Sequence, residues 1–262
     1  MELFDAIGTR RSFRYLDPNR PVEIEKIQKM LEAARLASHF GNNNAARALV
    51  VNRATATEEQ LESLPSPVGG FQIQQAPVII LWYIEQNAMD EAAQRLVELV
   101  EVGALGYGPD RFEELNNVLV PIMTAASENL KQPGLVDMDL GQAVAQATLV
   151  AIEEGLGCCC QGSANWKRVE KAFGLPESCR IVVVQTVGYP AESMDAGGQR
   201  PRLPFEQLFQ YNSYDNPFPR SEAVVEELKQ KRMIQAQAKL SGREEELEAL
   251  RQKYNLPRAG MI

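Results

Sequence analysis

The chain has little material for a metal centre. It contains one histidine, His39, and four cysteines among 262 residues. Cys158, Cys159 and Cys160 are consecutive, and no CxxC spacing occurs. Neighbouring cysteines cannot readily converge on one tetrahedral metal ion, so a zinc site is disfavoured. This cysteine usage also indicates a reducing compartment.

Positive charge and long apolar runs are scarce as well. The formal net charge is −8, which disfavours nucleic acid as a partner because phosphate backbones select basic surfaces. The first residues lack a basic lead followed by an apolar run, which disfavours a signal peptide. No stretch approaches the roughly 18 unbroken apolar residues of a membrane span. We therefore expect a soluble cytoplasmic protein without a membrane partner.

Against this acidic background, residues 9–14 form a local basic cluster. Arg10, Arg11 and Arg14 crowd three guanidinium groups around the hydroxyl of Ser12. Arginine forks match the oxygens of phosphate groups, and a serine hydroxyl adds a further donor. Taken alone, the cluster fits either a solvated basic turn or a site for a small anion.

A second basic cluster, with Arg200 and Arg202, lies near the end of the periodic part of the chain. A loop of small and amide residues, Ser38 to Asn44, offers Asn42 and Asn44. These amides could turn the chain, or they could bind the polar edge of a heterocycle.

Apolar periodicity predicts a mixed helix and strand protein. Strands are predicted over residues 48–52, 77–83 and 180–187, and helices over residues 1–8, 23–37, 88–101, 111–130, 139–154 and 166–173. The helix over 139–154 is so apolar that we expect it to be buried. Residues 85–139 form an insertion that we interpret as a helical cap beside a pocket, where substrate choice would be made.

The last fifty residues are highly charged, with helical patterns over 221–240 and 243–254 and a predicted capping box at 241–244. Pro217 and Pro219 predict an extended tether over 211–219. The apolar stripes of the two helical patterns are narrow, so we expect residues 211–262 to pack on another subunit. A solvated, partly disordered tail is the alternative.

The order of these motifs resembles the nitroreductase family of FMN-dependent oxidoreductases, from Ala6 to about Phe209. The stretch AIGTRRSFRYL is similar to the family's opening signature, which implies flavin contacts from Arg10, Ser12 and Arg14, with Arg11 alongside. The loop at 38–45 matches at Asn42, has Asn44 where the family has glutamine, and departs from the pattern elsewhere. Three further stretches resemble later segments of the family, namely EEGLGCCCQGS, VGYP and RPRLPFEQL.

By this resemblance, Gly162 and Ser163 would present backbone N–H groups to the flavin, and Arg200 and Arg202 would reach its phosphate. The implied fold is α+β with three layers, a central mixed sheet between helices. Residues 1–210 would form the FMN-binding domain and 211–262 a helical extension. The family also implies a homodimer with FMN sites at its interface, NAD(P)H as donor, a small electron acceptor and no obligatory catalytic side chain.

Two rival hypotheses remain open. One is a protein of the same fold that binds or consumes flavin without nitroreductase activity, which the altered loop at 38–45 would permit. The other is a flavin-free interaction scaffold that acts through its charged C-terminal helices.

Overall fold

The protein is described here by a computed structural model that covers residues 1–65, 70–162 and 165–256. Its sheet consists of β1 (Ala46–Asn52), β2 (Val78–Glu85), β3 (Gly157–Gln161) and β4 (Cys179–Gly188). The strands lie in the order β1-β2-β4-β3, and neighbours are antiparallel. The α+β class and the strands over 48–52, 77–83 and 180–187 are confirmed. Strand β3 was not predicted, and parallel pairing within the described residues is confined to isolated bridges.

Helices cover both faces of this sheet. They are α1 (Leu3–Thr9), α2 (Ile24–Arg35), α3 (Glu58–Ser63), α4 (Gly70–Gln75), α5 (Ala92–Glu101), α6 (Arg111–Glu114), α7 (Val120–Leu130), α8 (Leu135–Glu153), α9 (Trp166–Ala172), α10 (Phe205–Leu208), α11 (Glu222–Gln230) and α12 (Arg243–Lys253). Each of the helices predicted before residue 175 is confirmed, with shifts of a few residues at its ends.

Successive side chains of a strand point to opposite sides of the sheet. In β2 the side chains on both sides are largely buried. Ile80 and Trp82 join a core with residues of α2 and α8. Ile79 and Leu81 join a second core with residues from α4 and α9. The sheet therefore lies between two helical layers, as the three-layer expectation requires.

Helix α8 is less buried than predicted. Ala143 and Ala147 pack into the core, but Ala145 and Gln146 are exposed and Met138 is 54% exposed. By length and composition α8 could cross a membrane, but core helices of soluble proteins pass the same test, and 44% of its most apolar window is buried inside the fold. An apolar helix thus keeps one face uncovered in the single chain.

The insertion folds as predicted into helices with a small core of their own. Leu96, Val100, Leu115 and Met123 are buried together there. This cap lies over the short 3-10 helix Phe40–Asn42, where an added Cβ on Gly41 would lie 3.7 Å from Leu96 Cδ2. The cap is therefore attached to the amide loop that precedes β1.

The C-terminal region differs most from expectation. Residues 209–218 fold back in a hairpin, in which Phe218 N donates to Phe209 O at 3.0 Å, so the extended tether is wrong. Helix α11 ends at Gln230, and the chain then runs irregularly along residues 197–199, where Ala238 N donates to Gln199 O. The predicted capping box is also wrong, because Gly242, without a side chain, is the N-cap of α12.

One buried hydrogen-bond chain ties the sheet to α8. Trp82 Nε1 donates to Gln185 Oε1 at 2.8 Å, and Gln185 Nε2 donates to Thr148 Oγ1 at 2.8 Å. Gln185 is completely buried. Buried polar groups are costly unless they are paired, so each member depends on the others.

We therefore expect Gln185→Ala to lower the free energy of unfolding by about 2–4 kcal/mol, because it leaves the Trp82 N–H unpaired and opens a cavity. Urea denaturation measures this loss. Gln28→Ala, on the exposed side of α2, is the matched control and should stay within about 0.5 kcal/mol of the wild type. Equal effects of the two substitutions would contradict the role of the hydrogen-bond chain.

Candidate functional site

The first basic cluster is held against the edge strand β3. Helix α1 ends at Thr9, and Arg10 is its C-cap. Ser12 then forms a parallel bridge with Cys158, and Phe13 N donates to Cys158 O at 3.0 Å. The backbone of residues 10–14 is therefore fixed by β3, and it presents its side chains at the sheet edge.

The second basic cluster lies at the same place. Arg200 is half-buried, and its Nη1 donates to the backbone oxygens of Ala196 at 2.8 Å and Gly198 at 3.1 Å. Arg202 is exposed, and its Nη1 donates to Pro201 O at 3.0 Å. Arg10, Arg200 and Arg202 line one cavity of about 210 Å³.

These guanidinium groups repel one another. Burial, together with the charges of Arg14 and Arg243, lowers the pKa of Arg200. Within residues 1–65, 70–162 and 165–256, no ion pair to a carboxylate is formed by Arg10, Arg14, Arg200 or Arg202. An anion bound here would relieve this repulsion, because opposite charges attract most strongly where water is excluded.

Arg11 has a different environment from its neighbours. It is 3% exposed, and it donates to the backbone oxygens of Gly8 and Arg10, to Asp195 O at 3.2 Å and to Gln235 Oε1 at 3.1 Å. Burial and the adjacent positive charges lower its pKa. Its donors are directed at the protein. Arg11 therefore supports the structure of the cluster, as a brace, and adds positive charge to it.

A larger cavity of about 380 Å³ adjoins the smaller one. The two share Ile7, Arg10 and Arg11 in their walls. The larger cavity is also lined by Ser12, by Cys160 and by residues on the uncovered side of α8. Ligand pockets commonly occupy about 300–1,000 Å³, so this space suits a small organic anion.

The consecutive cysteines form part of β3. Cys158 and Cys159 are buried, which indicates that they pack in the core. Burial raises the pKa of Cys159, and Arg14 and a hydrogen bond with Ser12 partly offset that rise. Desolvation and the neighbouring Cys159 raise the pKa of Cys160 to about 11, so its thiol is protonated at neutral pH.

Gly162 follows the last residue of β3 and is exposed, while Ser163 lies outside the described residues. Beside them, Gln161 Nε2 donates to Gln72 Oε1 at 3.1 Å. Gln161 Oε1 is buried and has no hydrogen-bond partner within the described part of the chain. Among the described residues this acceptor is unsatisfied, so it could accept from a ligand N–H.

Asn42 and Asn44 do not join the arginines in one chain. They precede β1, whereas the arginines lie on β3, and β2 and β4 separate these edge strands. Three strand spacings amount to about 14 Å. Asn44 Nδ2 donates to Asn42 O at 2.6 Å, and both residues have positive φ, so the amides here shape the turn.

Several residues of this region were not anticipated from the sequence. The buried side chain of Asn43 donates to Asp139 Oδ2 at 3.1 Å and thereby holds the amide loop on α8. Glu192 Oε1 accepts from Arg14 N at 2.7 Å and from Tyr15 N at 3.1 Å. Gln235 reaches Arg11 from the distant C-terminal region. No local pattern marks such contacts, because each joins parts of the chain far apart in sequence.

Solved structures with the same fold cover most of this chain. A protein from Exiguobacterium sibiricum, described as a nitroreductase and crystallised in complex with FMN, is 23% identical over 81% of this chain and 98% of its own, with a TM-score of 0.64. A nitroreductase family protein from Streptococcus pneumoniae is 18% identical, with coverages of 80% and 100% and a TM-score of 0.62.

A third structure, described as an NAD(P)H:FMN oxidoreductase from Staphylococcus epidermidis, is 18% identical, with coverages of 80% and 96% and a TM-score of 0.65. At these identities the likeness shows a shared fold. Among curated proteins, none matches the sequence significantly.

A family model, by contrast, matches the sequence itself over residues 7–189, which is most of the chain. That range includes the arginines after α1, the amide loop and the end of β3. The resemblance inferred from the motifs is thereby confirmed, and the protein belongs to the Nitroreductase family.

Proposed function

We propose that this protein is an FMN-dependent oxidoreductase, which passes reducing equivalents from NAD(P)H to a small acceptor such as a quinone, a nitroaromatic compound or a free flavin. The observation that carries the proposal is that Arg10, Arg200 and Arg202 line one cavity and form no ion pair to a carboxylate within the described residues. The charge of Arg14 also acts on Arg200. In a chain of the Nitroreductase family, FMN is the anion that such a group would hold.

The residues present fit this cofactor. A phosphate monoester carries a charge of about −1.5 to −2 at neutral pH, which two or more guanidinium groups can neutralise. Arg10 and Arg200 come from the two basic clusters and meet at one cavity. Gln161 Oε1, which has no partner among the residues that the structure describes, offers an acceptor for an N–H of the flavin ring. The combined cavity volumes suit a molecule of this size.

Flavin supplies the redox chemistry, since it accepts a hydride and returns electrons to a second substrate. The chain supplies binding, orientation and a dry environment. We assign phosphate contacts to Arg10, Ser12, Arg14, Arg200 and Arg202, with Arg11 as a brace. Backbone N–H groups of Gly162 and Ser163 would orient the ring. No side chain is assigned as a catalytic acid, base or nucleophile.

A second copy of the chain would complete the site. Asn42 and Asn44 lie at the far edge of the sheet from the arginines, so in a homodimer they would serve the partner's flavin. The uncovered apolar face of α8 supports such an interface. Exposed apolar side chains on the cap, Val118 and Ile122, would be available to the same surface.

We place this oxidoreductase in the cytoplasm, because all four of its cysteines are free thiols, as a reducing compartment keeps them. Residues 1–210 would form the flavin-binding unit and residues 211–262 the extension. Since residues 232–250 pack on their own chain, the contact with another subunit stays a proposal for the hairpin and α11.

Purified protein tests the proposal directly. We expect it to bind FMN, to show flavin absorbance, and to oxidise NADH or NADPH with a quinone or nitroaromatic acceptor. Flavin binding without such oxidation would favour the flavin-binding hypothesis. Absence of flavin binding under all loading conditions would leave the scaffold hypothesis.

The arginine assignment predicts weaker FMN binding in two single variants. Arg10→Ala and Arg202→Ala should each cost about 1.5–3 kcal/mol of FMN binding free energy, the usual value of a hydrogen bond to a charged group. Fluorescence titration of the apo-protein measures the dissociation constant. Arg35→Ala on α2, which pairs with Glu32 at the surface, is the control. Unchanged affinity in both variants would reject the site.

The shared site predicts complementation between subunits. A chain carrying Arg10→Ala and Arg14→Ala should bind little FMN, and so should a chain carrying Asn42→Ala and Asn44→Ala. When the two are co-expressed, mixed dimers should regain one intact site out of two, measured as flavin per dimer after separation by two affinity tags. Mixed dimers with no more flavin than either parent would show that each site is built within one chain.

A further inference from the structure

The C-terminal segment formed by residues 232–246 lies against the arginine site of its own chain. It is outside the range matched by the family model, which ends at residue 189. Two glycines permit the close contact. A Cβ on Gly8 would overlap Arg232 O, and a Cβ on Gly198 would lie 2.7 Å from Ala238 N.

Glu192 presents a problem within this site. Its side chain is fully buried, and its charge acts on Arg200, the phosphate ligand proposed above. A free carboxylate there would compete with phosphate for the guanidinium groups. It would also be costly, since a buried charge requires a partner.

Arg243 is that partner. Its Nη2 pairs with Glu192 Oε2, while its Nη1 donates to Glu246 Oε2 at 2.7 Å. The other oxygen of Glu192 accepts from the backbone of Arg14 and Tyr15. The carboxylate is therefore neutralised and used to hold the backbone at Arg14, without consuming the charge of Arg14 or Arg200.

The same segment also fixes Arg11. Gln235 Oε1 accepts from Arg11 Nη2 at 3.1 Å, and Gln235 N donates to Gln199 Oε1 at 3.0 Å. Met233 and Ile234 line the smaller cavity together with Arg10, Arg200 and Arg202. The segment thus forms one wall of the space that the phosphate would enter.

We propose that residues 232–246 are an integral part of the phosphate-binding site, in which Arg243 neutralises Glu192 so that Arg10, Arg14 and Arg200 remain available to the phosphate of FMN. Arg243 is a positioning residue in this arrangement, since it acts through Glu192. This inference rests on the proposed function.

Riboflavin, which lacks the phosphate, separates this role from general support of the fold. Arg243→Ala frees the carboxylate of Glu192 to pair with Arg14 or Arg200. Its affinity for FMN should fall about tenfold or more, equivalent to about 1.4 kcal/mol, while its affinity for riboflavin stays within about twofold of the wild type. Titration of the apo-form of the full chain with both flavins gives the ratio.

Removing the competing charge should reverse the loss. The double variant Arg243→Ala with Glu192→Gln keeps an acceptor for the backbone N–H groups and removes the carboxylate, so its preference for FMN over riboflavin should return to near the wild-type value. Arg251→Ala, which breaks an exposed pair with Glu248 on the same helix, is the control and should change neither flavin affinity.

Equal loss of FMN and riboflavin in Arg243→Ala would show a role in the fold alone and would overturn the inference, as would a double variant that stays as weak as the single one. Either result leaves the proposed function intact if the wild type prefers FMN. A wild-type chain that does not prefer FMN to riboflavin would overturn both.

Discussion

Mutual repulsion of positive charges is the constraint on which this structure depends. Arginines from residues 10–14 and from residues 200–202 meet at one corner of an acidic protein. Bringing them together without an ion pair to a carboxylate, as the described residues show them, costs free energy that the rest of the fold must offset. Strand β3 fixes the backbone of the first cluster through Cys158, and backbone oxygens hold Arg200. In the proposed site a bound phosphate would relieve this repulsion, so stability of the free protein would be exchanged for affinity.

The sheet determines how far a single chain can build the site. Its order places β1 and β3 at opposite edges, so the arginines beside β3 and the amide loop before β1 lie at opposite edges of the sheet. The cap is attached to the amide loop and therefore lies on the side opposite its own chain's arginines. An apolar face of α8 is left uncovered between them. These facts fit the proposed homodimer, in which a second chain would supply the other half of each site.

Much of the fold could be predicted from local patterns. The apolar run of β2 and the periodic helices are properties of neighbouring residues, so their prediction succeeded. Strand β3 was missed because Cys158 to Gln161 carries no alternation that marks a strand. The C-terminal region was misjudged because its structure depends on distant contacts: Arg11 and Gln235 are 224 positions apart. Proline and charge patterns predicted an extended tether, whereas hydrogen bonds between Phe209 and Phe218 close a hairpin.

The arginines themselves show where sequence reasoning about a site ends. Arg10, Arg11 and Arg14 look equivalent in sequence, yet only Arg11 is buried with its donors directed at the protein. Arg10 and Arg11 line the same cavities, but the donors of Arg11 are bound to the protein, so not every arginine of the cluster offers its donors to a ligand. The number of arginines in residues 10–14 is therefore larger than the number that can contact a phosphate. The pairing of Arg243 with Glu192, which the proposed site also needs, is not marked by any local sequence pattern. The charge of a binding site is therefore set by the whole chain, including carboxylates and their partners, and the residues that face the ligand are only part of it.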